Sequence, residues 1–317
     1  MMADIKNRIH FVVSLMFFGA FLFACGGGGG DDGGGSSKPD PVDHKNTKQV
    51  MGSITSGRIA STIVSQLAHQ ISPIRSDQNP QQAEIMAGAI SDQGACTGSG
   101  TNSISMNWQG PAAQDITSCE QVSNLNATLI LEKCIQQDKP QTEQSMTLTV
   151  FKDGSLCRPS NISADVDDLH VVDNGNDDLD IQSDELHIDI TEITYSNDNK
   201  FMTHANVALS GDARGTKGNR QYAAQFNNFV QIIDTQDNHH FTATFSGRIQ
   251  SECMGQWAEI RTITPIQFKD QDCPTQGAIE ITIGGESTTV RYQSNGSATI
   301  GDTTFDSCQQ LEGVCNR

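Results

Sequence analysis

Glu185-Leu186-His187-Ile188-Asp189-Ile190-Thr191-Glu192-Ile193-Thr194-Tyr195 is the stretch that decides the fold. Leu186, Ile188 and Ile190 alternate with His187, Asp189 and Thr191, so a two-residue period separates an apolar face from a polar one. That is the pattern of a half-buried strand in an antiparallel sheet. The same period recurs after Cys96, in segments rich in Thr, Val, Ile and Phe and separated by Gly and Asn-Asp clusters. It predicts strands over Asn126 to Cys134, Ser145 to Phe151, Thr203 to Ser210, Tyr222 to Asp234, His240 to Gln250 and Trp257 to Phe268. Shorter strands are expected over Ala278 to Ile283, Thr288 to Tyr292 and Ser297 to Ile300.

A weak internal repeat runs through these strands. Leu129, Leu131 and Cys134 are followed by Met146, Leu148 and Val150. Ile188, Ile190 and Ile193 are followed by Ala205, Val207 and Leu209; Ala224, Phe226 and Phe229 by Phe241, Ala243 and Phe245. The last two copies continue into Ser210-Gly211 and Ser246-Gly247, and the first departs with Phe151-Lys152-Asp153-Gly154. Each copy reads as a long-looped hairpin with one apolar face, whether by duplication or by convergence of alternating strands.

One-sided hairpins must cover their apolar faces. From Thr47 to Ser72 apolar residues at Val50, Ile54, Ile59, Ile63, Leu67 and Ile71 recur mostly every four residues, which predicts an amphipathic helix ended by Pro73. A second short helix is expected over Pro80 to Ile90, with Asn79 as its N-cap. The expected fold is therefore mainly β: a twisted antiparallel meander or open barrel of long hairpins with an N-terminal helix packed on it. Residues 47–95 form the helical segment and 96–317 a disulfide-stapled β domain.

Ahead of the helix lies a different kind of sequence. Lys6 and Arg8 precede an apolar run from Ile9 to Phe23 that is too short and wrongly flanked for a spanning helix, so residues 1–24 read as a secretory signal peptide. Leu22-Phe23-Ala24-Cys25 resembles the lipobox of bacterial lipoproteins, which implies cleavage before Cys25 and acylation of that residue. The eight cysteines left after Cys25, at 96, 119, 134, 157, 253, 273, 308 and 315, form an even set that an oxidising compartment can pair completely. Cys273 with Cys308, which bracket the last meander, is the first pairing expected, and Cys119 with Cys134 the second. Residues 25–46 hold Gly26 to Gly30, Asp31, Asp32, Gly33 to Gly35, Ser36 and Ser37, and read as a lipidated tether of flexible-linker composition. Such a leash is similar to those of surface-displayed lipoproteins of Gram-negative bacteria. Gly26 after the acylated position resembles cargo of the outer membrane, so the expected location is that membrane, its outer face favoured over the periplasmic one.

The chain carries 20 Lys and Arg against 38 Asp and Glu, a formal charge of −18, and no basic stripe. Phosphate contacts need clustered cations, so nucleic acid is not an expected partner. The densest acidic stretch holds Asp165, Asp167, Asp168, Asp173, Asp177, Asp178, Asp180, Asp184 and Glu185. Hard oxygen ligands in a Gly/Asn-containing loop suit calcium, with Asp173, Asp177, Asp178, Asp180 and Asp184 as candidate ligands. An EF-hand match from Asp173 fails at Gly175 and Asp178, and a solvated acidic loop between two strands is the plainer reading.

For catalysis the sequence offers little. His239 and His240 are adjacent at a strand start and so face opposite ways. His187 and Asp189 share a face and form a candidate acid-base pair, although such polar pairs are ordinary on strand surfaces. Trp108 and Trp257, the only two tryptophans, read as core residues before they read as a sugar platform. The strand region, with Cys273-Pro274-Thr275-Gln276-Gly277 leading into alternating Ile and Thr, resembles uncharacterised β-rich lipoproteins of Gram-negative outer membranes. The expectation is a non-enzymatic binding or structural module held to the membrane by its N-terminal lipid, with an extracellular or envelope protein as ligand and no cofactor. The alternatives are an extracytoplasmic hydrolase with a dispersed site and a calcium-stabilised adhesin.

Overall fold

A computed structural model describes residues 44–54, 84–86, 89–95, 99–111, 121, 123–135, 143–152, 159–173, 179–196, 202–217, 220–237, 240–251, 254–269 and 274–311. One antiparallel sheet holds every strand among them. In chain order these are β1 (Glu84–Met86), β2 (Ala89–Ala95), β3 (Ser99–Gln109), β4 (Ser123–Ile135), β5 (Glu143–Lys152), β6 (Asn161–Asp173), β7 (Leu179–Ser183) and β8 (Leu186–Tyr195). There follow β9 (Met202–Lys217), β10 (Arg220–Thr235), β11 (His240–Ser251), β12 (Ala258–Lys269), β13 (Gln276–Ile283), β14 (Glu286–Tyr292), β15 (Ala298–Ile300) and β16 (Thr303–Phe305). Each strand pairs with its sequence neighbours, save that β7 and β8 lie end to end between β6 and β9. The result is an open meander, as the alternating sequence leads one to expect.

Alternation places one residue in two on a common inner face. Leu148, Val150, Ala164, Ile188, Leu209, Phe229, Ile249, Ile260, Ile281, Val290 and Ile300 are all fully buried there, in one continuous core. The helix α1 (residues 44–54) joins that core through Val50, Met51 and Ile54. Its first turns meet the C-terminal edge of the sheet. The His44 ring stands edge-on to Phe305 at 6.2 Å, and Lys48 Nζ lies 4.6 Å over the same ring. The expected helix thus packs on the sheet and is already helical at His44, three residues ahead of Thr47; its stretch over 55–72 lies outside the described residues.

The repeat takes on a physical meaning. In a regular strand a three-residue step between apolar side chains would send the second one to the wrong face. Here each such step coincides with a register shift: between Leu131 and Cys134, between Thr191 and Thr194, and around Asn227-Asn228. An extra residue at a β-bulge restores the facing, so Ile190 and Ile193 are both buried, as are Phe226 and Phe229. The bulged residues Glu192 and Asn228 have φ of 56° and 47°. Phe226, Phe229 and Phe245 then form an aromatic run with centroids 5.7 and 6.1 Å apart, and Phe241 stacks on Phe268 at 4.4 Å.

Two expectations are corrected. The helix read over Pro80 to Ile90, and with it the end of the 47–95 helical segment, gives way to β1 and β2, where Ile85 pairs with Ile90 and Ile90 with Met106. Short segments with few apolar residues fit either element, and pairing with β3 decides. The acidic stretch is also no open loop. Residues 165–173 belong to β6 and 179–183 to β7, with Asp173 opposite Leu179 and Val172 opposite Asp180.

Candidate functional site

The polar face of the central strands gathers the chemistry. On β8, His187 and Asp189 are two residues apart and so share a face, and their side chains meet with Nε2 2.8 Å from Asp189 Oδ2. Asp165 on β6 stands directly across from His187 and brings its Oδ1 to 2.6 Å of Nδ1. The imidazole is therefore held between two carboxylates, and all three side chains keep substantial solvent exposure. Partial burial pulls the His187 pKa down, but hydrogen bonds to Asp165 and Asp189 and their charges outweigh it, so the net shift is upward.

A second imidazole repeats the arrangement. His204 on β9 pairs across from Asp234 on β10, with Nδ1 2.6 Å from Asp234 Oδ1, and Glu192 Oε2 lies 3.6 Å from Nε2. The hydrogen bond to Asp234 is the chief reason its pKa is raised, against some desolvation and with help from Glu192. Just past the same end of β10, Asp237 receives hydrogen bonds from the backbone N–H and the ring of His240 at 2.8 and 3.0 Å.

Beyond His187, on the side away from His204, the β7–β8 junction is tied by Asp212 of β9. Its carboxylate accepts the N–H groups of Asp184 and Glu185 at 3.4 and 3.0 Å, and its own N–H donates to the Glu185 carbonyl at 2.7 Å. Ser183 Oγ donates to the Asp212 carbonyl at 2.7 Å. Arg214 closes the group, donating to Asp184 at 2.8 Å. Backbone groups that a strand break would leave unpaired thus find partners.

Among the described residues no group of three or more His, Cys, Asp or Glu is placed to hold a metal ion. Asp184 is occupied by Arg214, Asp173 and Asp180 lie in the paired backbones of β6 and β7, and Asp177 and Asp178 lie outside the described residues. So do Cys25, Cys119, Cys273 and His239. Cys134 is placed on β4 opposite Gln144. Cys308 is disulfide-bonded. Trp108 is buried and donates Nε1–H to the Pro111 carbonyl at 2.9 Å, while Trp257 is half-buried with the Arg248 guanidinium 5.2 Å over its ring.

Reading the sequence paired His187 with Asp189 and missed Asp165, because β6 was hidden in the acidic stretch. Ile162, Ala164 and Val166 alternating with Ser163 and Asp165 were the available signal. His204 and the buried Lys152 were also missed; desolvation lowers the Lys152 pKa to about 8. Comparison with known protein families, with curated proteins and with solved structures found no match.

Chemically, an imidazole whose two nitrogens both face ionised carboxylates makes both hydrogen bonds only when both nitrogens carry hydrogen. A hydrolytic dyad needs a ring nitrogen open to a nucleophile, and both ring nitrogens of His187 face carboxylates.

Proposed function

We propose that the protein is a lipid-anchored lipoprotein of the cell envelope, a non-enzymatic binding or structural module displayed at the outer membrane. The observation that carries this reading is Leu22-Phe23-Ala24-Cys25 followed directly by the Gly/Ser/Asp-rich tether. Two or more acyl chains, at about 0.8 kcal/mol per buried methylene, would hold the body permanently while the tether gives it reach. An extracellular or envelope protein is the proposed partner, and the chain's balance of 38 Asp and Glu against 20 Lys and Arg disfavours nucleic acid. His187, engaged at both nitrogens, supports a binding role over hydrolysis. A disulfide between Cys273 and Cys308 belongs to the same proposal, since an oxidising location lets it persist.

The test is protease shaving of intact cells beside a Cys25→Ala variant and lysed-cell controls. Digestion of the wild type on whole cells, with the variant lost from the membrane fraction, is expected. Protection until lysis would move the protein to the periplasmic face, and an unchanged membrane fraction for Cys25→Ala would remove the lipid anchor.

A further inference from the structure

The outer face holds two imidazoles between carboxylates of different strands. His187 of β8 has Asp165 of β6 on Nδ1 at 2.6 Å and Asp189 on Nε2 at 2.8 Å. His204 of β9 has Asp234 of β10 on Nδ1 at 2.6 Å and Glu192 of β8 at 3.6 Å from Nε2. An ionised carboxylate only accepts, so both ring nitrogens must carry hydrogen for both contacts to hold, and a neutral imidazole supplies one. Glu192 reaches His204 from a bulge at φ 56°, a backbone region that side-chain-bearing residues rarely occupy.

We propose that His187 and His204 are proton-operated clamps that tie β6, β8, β9 and β10 across the outer face when charged, each releasing one carboxylate when it loses its proton. The groups facing His187 are Asp165 from β6, Asp189 from its own strand and the uncharged Ser210 from β9. Those facing His204 are Glu192 and Thr194 from β8 and Asp234 from β10. The nearest described cation on β9, Arg214, is engaged by Asp184 and Asp212 at the β7–β8 junction. The charged groups that contact each imidazole are carboxylates, the setting that favours its charged form.

The sign follows from linkage. With both histidines raised in the folded state, their stabilisation is fully present below the unfolded value near 6.5 and is lost as pH rises through the folded values. The outer face also becomes more negative by up to two charges over that window.

The experiment follows the histidine ring resonances of the full chain by proton–nitrogen NMR from acid to alkaline pH. Two imidazoles titrating above 6.5 are expected. In the Asp165→Asn/Asp189→Asn variant the His187 midpoint falls to 6.5 or below, and Asp234→Asn does the same for His204. Thermal midpoints of the wild type fall over the same window, and His187→Gln/His204→Gln removes most of that pH dependence. Titration of both rings at or below 6.5, or an unchanged pH dependence of melting in the double variant, would overturn the clamps.

Discussion

Gly211 and Gly247 stand where no side chain fits. Their φ values are 112° and 113°, and a Cβ would fall 2.1 Å from the Glu185 carbonyl oxygen at Gly211 and 2.2 Å from that of Asn228 at Gly247. These contacts are with backbone, which cannot swing aside. Each glycine lies against the interruption of a neighbouring strand, which explains why the two Ser-Gly pairs recur in the repeat. Gly247→Ala is expected to cost about 2–4 kcal/mol, from a left-handed backbone position together with a forced shift of β10. Gly255→Ala, with open space around it, is the control, expected within about 0.5 kcal/mol. Chemical denaturation of both variants checks the difference. Lys152 carries an opposite pH signature to the histidines: between about 8 and 10.5 the unfolded chain holds a proton that the folded chain has lost, so stability rises with pH there. Lys152→Met is expected to flatten that rise, read as thermal midpoints across the same range.

Among the elements, the strands of the second half were legible because their apolar period is clean. The bounds read for β8, β10, β11 and β12 fall within two residues of those observed. What stayed hidden had a physical cause in each case. β6 and β7 carry so many aspartates that charge masked the alternation of Ile162, Ala164 and Val166, and β1 and β2 are too short, with Ser91-Asp92-Gln93 breaking the apolar pattern of β2, to tell strand from helix. The His187 cluster was half legible for the same reason: Asp189 lies on the same strand, whereas Asp165 comes from the strand that was missed. The β7–β8 junction makes a prediction at this scale. Asp212 is largely buried and its carboxylate satisfies two backbone N–H groups, whereas Arg214 is half exposed and pairs with an exposed Asp184. Loss of an acceptor that leaves donors unsatisfied costs more than loss of a surface ion pair. Asp212→Ala is expected to destabilise by about 1–3 kcal/mol and Arg214→Ala by less than about 1 kcal/mol, with slower hydrogen exchange at Asp184 and Glu185 surviving only in the latter.

At the scale of the whole molecule the question is whether so wide a sheet melts as one body. Its inner face forms a single continuous core from Met106 and Trp108 on β3 to Ile300 and Phe305 on β15 and β16, and α1 packs into the same core. A strand that loses a neighbour exposes the apolar side chains of both, so the free energy of opening is shared along the meander and partial states are disfavoured. The two tryptophans sit far apart in this order, Trp108 on β3 and Trp257 just before β12, and so report on separate halves. Trp257→Phe and Trp108→Phe chains, each with one remaining indole, are expected to lose native fluorescence at a common denaturant midpoint after correction for their own stabilities. Ile54→Ala in α1 removes a buried side chain shared by the helix and the sheet, costs about 2–4 kcal/mol, and should shift both midpoints together. Two separated transitions, or an Ile54→Ala shift confined to one reporter, would mean that the continuous core holds two cooperative units and that the helix secures only one of them.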